Sequence, residues 1–86
     1  ELKIATEIKI FEVGKRIKEL RIDLKLTLEK FGARLGVGKT AISKIEKGEN
    51  ALTDQMFKSI CREFNVNPSW LRDGSGEMFE KGPGTK

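Results

Sequence analysis

Residues 28–47 read LEKFGARLGVGKTAISKIEK, and the spacing of their apolar residues changes frame once. Phe31 and Leu35 share one helical face, Gly36 interrupts it, and Val37, Ile42 and Ile45 begin a second stripe in a new frame. The stretch predicts two short helices, one ending at Gly36 and the next starting near Gly38. Gly36 stands where a helix calls for a left-handed residue after its last turn, a conformation glycine adopts without steric cost. Gly32, four residues earlier, removes a side chain where the second helix is expected to cross closely.

Two short helices crossing closely at a steep angle form a helix-turn-helix. In that arrangement Lys39, Thr40, Ser43, Lys44 and Lys47 lie on the face of the second helix left outside. All five can donate hydrogen bonds, which suits phosphates and base edges. Charge agrees with this placement. From Val13 to Gly48 there are ten basic and four acidic residues, whereas the whole 86-residue chain carries a net charge of only +4. A basic centre between near-neutral flanks is what a polyanion-binding face produces, although a solvated helix surface produces similar runs.

Moving outward, Val13 to Lys25 fits a helix with Val13, Ile17, Leu20 and Leu24 inward. Thr27 is suited to cap the following helix, with Glu29 in its first turn. On the C-terminal side, Gly48 fits a helix ending, and Thr53 with Asp54 starts a fourth helix whose apolar face holds Met56, Phe57, Ile60, Cys61 and Phe64. Asn65 is a suitable left-handed ending for it. Asn67 and Pro68 then open a short fifth helix that Gly74 closes. Trp70 and Leu71 on that helix face the core or a partner. Residues 1–11, ELKIATEIKIF, admit three readings: a strand-forming arm, an extension of the first helix, or a separate segment, with an arm packing on the domain or on a second subunit preferred.

Length and composition narrow the chemistry. One domain of this size builds a core too small for a deep enzyme pocket with its supporting shell. The chain contains no histidine, no tyrosine and one cysteine, so histidine acid-base chemistry, Cys/His zinc sites and internal disulfides are excluded. Cys61 sits between apolar neighbours and reads as a core thiol suited to a reducing compartment. No apolar run approaches the roughly 18 residues of a membrane span, and a cytoplasmic protein is expected.

Three motifs carry a family resemblance: GKRIKELR at Gly14–Arg21, LGVGKTAISKIEKG at Leu35–Gly48, and ICREFNVNPSWLRDGSGEMF at Ile60–Phe79. The chain resembles the phage-repressor or Cro-type helix-turn-helix proteins, the XRE family, over about Val13 to Phe79. The third motif looks like repressor-like regulators of phages and prophages of low-GC Gram-positive bacteria. The resemblance implies an all-α, lambda-repressor-like bundle of about five short helices with the helix-turn-helix at helices 2 and 3. It divides the chain into an arm at 1–12, a DNA-binding domain at 13–79, and a flexible tail or linker at 80–86.

The same resemblance implies a sequence-specific, non-enzymatic transcriptional regulator, a repressor binding double-stranded DNA as a homodimer, or alternatively an antitoxin-like or bridging interaction module. Carried over by position, Lys39, Thr40, Ser43 and Lys44 are the base-reading residues, and Thr27, Lys30, Arg34, Lys47 and Asn50 the phosphate contacts. Arg21 and Glu46 match an ion pair between the first and third helices; two unrelated surface charges are the other reading. Two positions depart from the family pattern. Leu28 stands where many relatives have a phosphate-contacting glutamine, and Glu49 stands where a basic residue is preferred. Residues 1–11 and 70–79 are the two surfaces on offer for dimerisation. The residues call for no cofactor, metal or small-molecule ligand.

Overall fold

A computed structural model describes residues 2–80, with side chains from Ile10 onward. Five helices follow one another: α1 Leu2–Asp23, α2 Leu28–Leu35, α3 Lys39–Glu46, α4 Asp54–Phe64 and α5 Pro68–Asp73. Most of their boundaries are written locally. Thr27 Oγ1 accepts from the Lys30 N–H at 3.1 Å and Thr53 Oγ1 accepts from the Met56 N–H at 3.1 Å, so each hydroxyl satisfies an otherwise unpaired helix-start donor. Asn67 does the same for the Ser69 N–H ahead of Pro68. Gly36, Gly48, Asn65 and Gly74 all adopt positive φ at or just beyond helix ends.

Two boundaries differ from the sequence expectation. The N-terminal segment is helical from Leu2, so the preferred separate arm is replaced by the helical alternative. No proline or glycine lies between Leu2 and Val13 to break the hydrogen-bond ladder. At its other end α1 stops at Asp23 rather than Lys25, because Lys25 itself turns left-handed with φ 60°. Leu24 and Leu26 both pack against the core, a spacing of two that a continuing helix cannot satisfy. The Leu26 N–H closes this turn on the Arg21 carbonyl at 3.1 Å.

One core joins all five helices. Ile17 and Leu20 of α1, Phe31 of α2, Ile42 and Ile45 of α3, Ile60 and Phe64 of α4, and Trp70 and Leu71 of α5 are buried, with Val66 between the last two helices. Phe31 and Phe64 stack with centroids 5.1 Å apart. Trp70 therefore belongs to the core. Val13 and Leu24, expected inward, are only half-buried at its edge. Cys61 packs beside the core, where burial pushes its thiol above the usual range against the lowering effect of Arg72, with Glu80 adding to the rise.

The chain after α5 folds back. Phe79 forms a single antiparallel bridge with Val66, the Asn67 N–H donates to the Met78 carbonyl at 2.9 Å, and the Glu80 N–H donates to the Asn65 carbonyl at 2.9 Å. Most of the expected tail, residues 81–86, lies outside the described residues.

Two glycines set helix spacing. A Cβ on Gly32 would stand 2.6 Å from the Val37 carbonyl oxygen, so the close approach is to the turn before α3 rather than to α3 itself. A Cβ on Gly14 would collide with the Ile45 carbonyl oxygen and crowd that of Glu46, which fixes how closely α1 crosses the end of α3. Glycine-to-alanine changes inside exposed helices normally stabilise by about 1 kcal/mol. Gly14→Ala is expected to do the opposite. Backbone oxygens cannot rotate aside, and overpacking of this kind costs about 2 kcal/mol or more, lowering Tm by about 10 °C. A thermal melt at or above the parent temperature would contradict this.

Candidate nucleic-acid interface

The groove follows from how α2 ends and α3 begins. Gly36, at φ 81°, ends α2, and its N–H and that of Val37 return to the Ala33 and Gly32 carbonyls at 3.2 and 2.9 Å. Gly38 then starts α3 with extended backbone and no side-chain cap. Ile42 and Ile45 turn into the core, and this leaves Lys39, Thr40, Ser43 and Lys44 on the opposite side of α3. Lys39, Thr40 and Lys44 are exposed and Ser43 is half-buried.

These four side chains, with Leu28, Lys47 and Glu49, line a groove of about 350 Å³. The four residues expected to read bases are thus brought together with one expected phosphate contact, Lys47. Glu49, which its charge alone would keep away from a polyanion, also lines the groove. Its position follows from Gly48: the left-handed turn at φ 78° folds the loop back so that the Glu49 and Asn50 N–H groups both donate to the Lys44 carbonyl, at 2.9 and 3.3 Å. The left-handed glycine is visible in the sequence, but the side chain's return to the groove is not.

The remaining phosphate candidates separate. Thr27 is exposed beside the groove, with its hydroxyl engaged in capping α2. Lys30 and Asn50 are exposed outside the groove lining. Arg34 is held elsewhere: its Nε donates to Glu63 Oε2 at 2.8 Å, and its guanidinium lies 5.1 Å from the centroid of the Phe64 ring. It ties α2 to α4 and is absent from the groove. Residue type suggests a phosphate contact there; the pairing with Glu63 depends on tertiary packing.

Behind the groove, α3 is tied to α1. Arg21 Nε donates to Glu46 Oε2 at 2.7 Å, a second guanidinium nitrogen reaches Glu46 Oε1 at 3.3 Å, and a third donates to the Leu26 carbonyl at 3.1 Å. This two-point grip fixes the rotation of α3 about its own axis, and hence the direction in which Lys39 and Lys44 leave it. Arg16 makes a comparable tie on the far side, donating to the Leu71 and Arg72 carbonyls, each at 3.2 Å, at the end of α5.

A second, larger groove of about 860 Å³ shares no lining residue with the first. Ile10, Val13, Leu52, Phe57, Cys61 and Arg72 are among its walls. The two surfaces on offer for dimerisation meet here, since Ile10 comes from the first and Arg72 from the second. Among the described residues no group of acidic or cysteine side chains is arranged to hold a metal ion, and no helix is long and apolar enough to cross a membrane.

A family model described as helix-turn-helix matches residues 17–71, which contain the groove and every buried residue of the core. Among curated proteins, an antitoxin, PezA of Streptococcus pneumoniae, is 33% identical over 55 residues, covering 64% of this chain and 35% of its own length. Uncharacterized HTH-type transcriptional regulators of Sinorhizobium medicae and Rhizobium meliloti are each 36% identical over 73 residues, covering 84% of this chain and 52% of their own. The chain thus spans about half or less of the length of these relatives.

Proposed function

Since the chain belongs to this helix-turn-helix family, the XRE group, we propose that it is a sequence-specific DNA-binding transcriptional regulator acting as a repressor, with 13–79 as its DNA-binding unit. The observation that carries the reading is the shared groove of Lys39, Thr40, Ser43, Lys44 and Lys47, with the lysines and Thr40 exposed on a helix whose other side is locked into the core. In this reading α3 enters the major groove. Lys39 and Lys44 donate to guanine O6 and N7, and Thr40 and Ser43 meet neighbouring edges. Lys47 and the exposed Thr27, Lys30 and Asn50 meet phosphates, which set register without carrying sequence information. The action is non-catalytic: occupancy of the operator excludes polymerase.

Two copies are proposed to bind together, each reading a half-site, with centres about 34 Å apart. The second groove supports this, being largely apolar with a charged margin, separate from the basic one, and bordered by both candidate surfaces. Selection of fragments from sheared source DNA tests the proposal. Enrichment of a two-fold sequence is expected, whereas uniform retention that merely falls with salt sinks it.

A second reading is supported by Glu49 in the groove and by the likeness to an antitoxin. In this reading the same fold serves as a protein-interaction module. Its signature is a partner protein retained after Lys39 and Lys44 are changed to alanine.

A further inference from the structure

The proposed interface is polar or charged along its walls except at one point. Leu28, the first residue of α2, lines the groove together with Thr40, Ser43 and Lys44. It is half-buried and packs against the core, so the portion of its side chain that reaches the groove is held by the rest. The Thr27 cap directly before it fixes the backbone from which it projects. An apolar group contributes nothing toward a phosphate, and crowding one against an anion strips solvent without replacement. Among the edges that DNA presents in the major groove, thymine carries an apolar group of its own, the C5-methyl.

We propose that Leu28, with the methyl of Thr40, forms a thymine-methyl contact, so that a residue of α2 determines specificity beside the bases read by α3. The inference rests on the DNA-binding reading and deepens it. It assigns to Leu28 a selective role at a position that the family resemblance gives to a phosphate contact. Burying one methyl corresponds to roughly fourfold in affinity per half-site, and roughly fifteenfold when both half-sites of a dimer contribute.

The test uses the full chain and its selected operator. Each thymine is replaced in turn by deoxyuridine, which removes the methyl and leaves the hydrogen-bonding edge intact. At one thymine per half-site the substitution is expected to weaken binding about fourfold. In Leu28→Ala the difference between the two DNAs at that position is expected to shrink, only the Thr40 methyl remaining, with the other operator preferences kept. Because the quantity read is a ratio between two DNAs on one protein, loss of stability in the variant cancels; Leu28→Met, which keeps apolar volume, is expected to retain the sensitivity. An operator indifferent to deoxyuridine overturns this inference alone, as does a methyl effect that persists undiminished in Leu28→Ala. Failure to recover any operator overturns the DNA-binding reading as well.

Discussion

Replacing both Lys39 and Lys44 by alanine is expected to lower affinity for the selected operator at least about thirtyfold while leaving the fold intact. A lysine on a guanine edge contributes about 1–3 kcal/mol of discrimination, so removing two per half-site corresponds to roughly thirtyfold to twenty-five-thousandfold. Both side chains are exposed and neither is held in a salt bridge among the described residues, so stability should stay within about 0.5 kcal/mol of the parent. Titration at several salt concentrations separates the roles of the two residues. If they read bases, discrimination between operator and random duplex collapses. If they only meet phosphates, both DNAs weaken together and the log-log salt slope falls by about 0.9 for each phosphate that a lysine no longer neutralises. Retention of full discrimination would remove α3 as the reading element.

Arg21→Ala is expected to destabilise the domain by about 3 kcal/mol and lower Tm by about 10–20 °C, as read by calorimetry or a circular-dichroism melt. The Glu46 side chain is only 8% exposed and that of Arg21 15%, so removing the guanidinium strands a carboxylate that water scarcely reaches. The Leu26 carbonyl loses a donor in the same step. The figure sits at the low end of the range for breaking a buried pair because some solvent does reach both groups. Removing both charges should hurt far less: Arg21→Met with Glu46→Leu strands no charge, although the Leu26 carbonyl still lacks its donor, and is expected to recover most of the loss. Operator affinity should fall in Arg21→Ala even at temperatures where the variant is folded, since the direction of α3 depends on this grip. An unchanged melt would make the pair incidental.

Much of this fold is legible in the sequence because its punctuation acts over two or three residues. Thr27, Thr53 and Asn67 bond the backbone next to them, and Gly36, Gly48 and Asn65 take conformations that their own chemistry permits. Such signals need no knowledge of the rest of the chain. Lys25 carries no such signal, because its left-handed turn is imposed from outside: two leucines spaced by two must both reach the core. The N-terminal segment is ambiguous because Leu2, Ile4, Ile8, Ile10 and Phe11 satisfy both a strand and a helix period.

The candidate groove divides along the same line. Its α3 members follow from periodicity, since whatever the isoleucines bury, the lysines oppose. Membership contributed by other segments depends on the tertiary path, which is why Arg34 goes to Glu63 and Glu49 comes into the groove. Gly14 is silent locally, because its reason for being glycine is a carbonyl oxygen 31 positions further along the chain.

That crossing has a genetic consequence. Every amino-acid replacement at Gly14 adds a Cβ, and the atom it meets is backbone that no second change of side chain can trim away. A saturation library should therefore leave this column nearly blank while Lys39, Thr40 and Lys44 fill with alternatives selected by whatever DNA is supplied. On the proposed DNA-binding reading, recognition can drift from operator to operator, but the distance between α1 and α3 has no neighbouring variants through which to move.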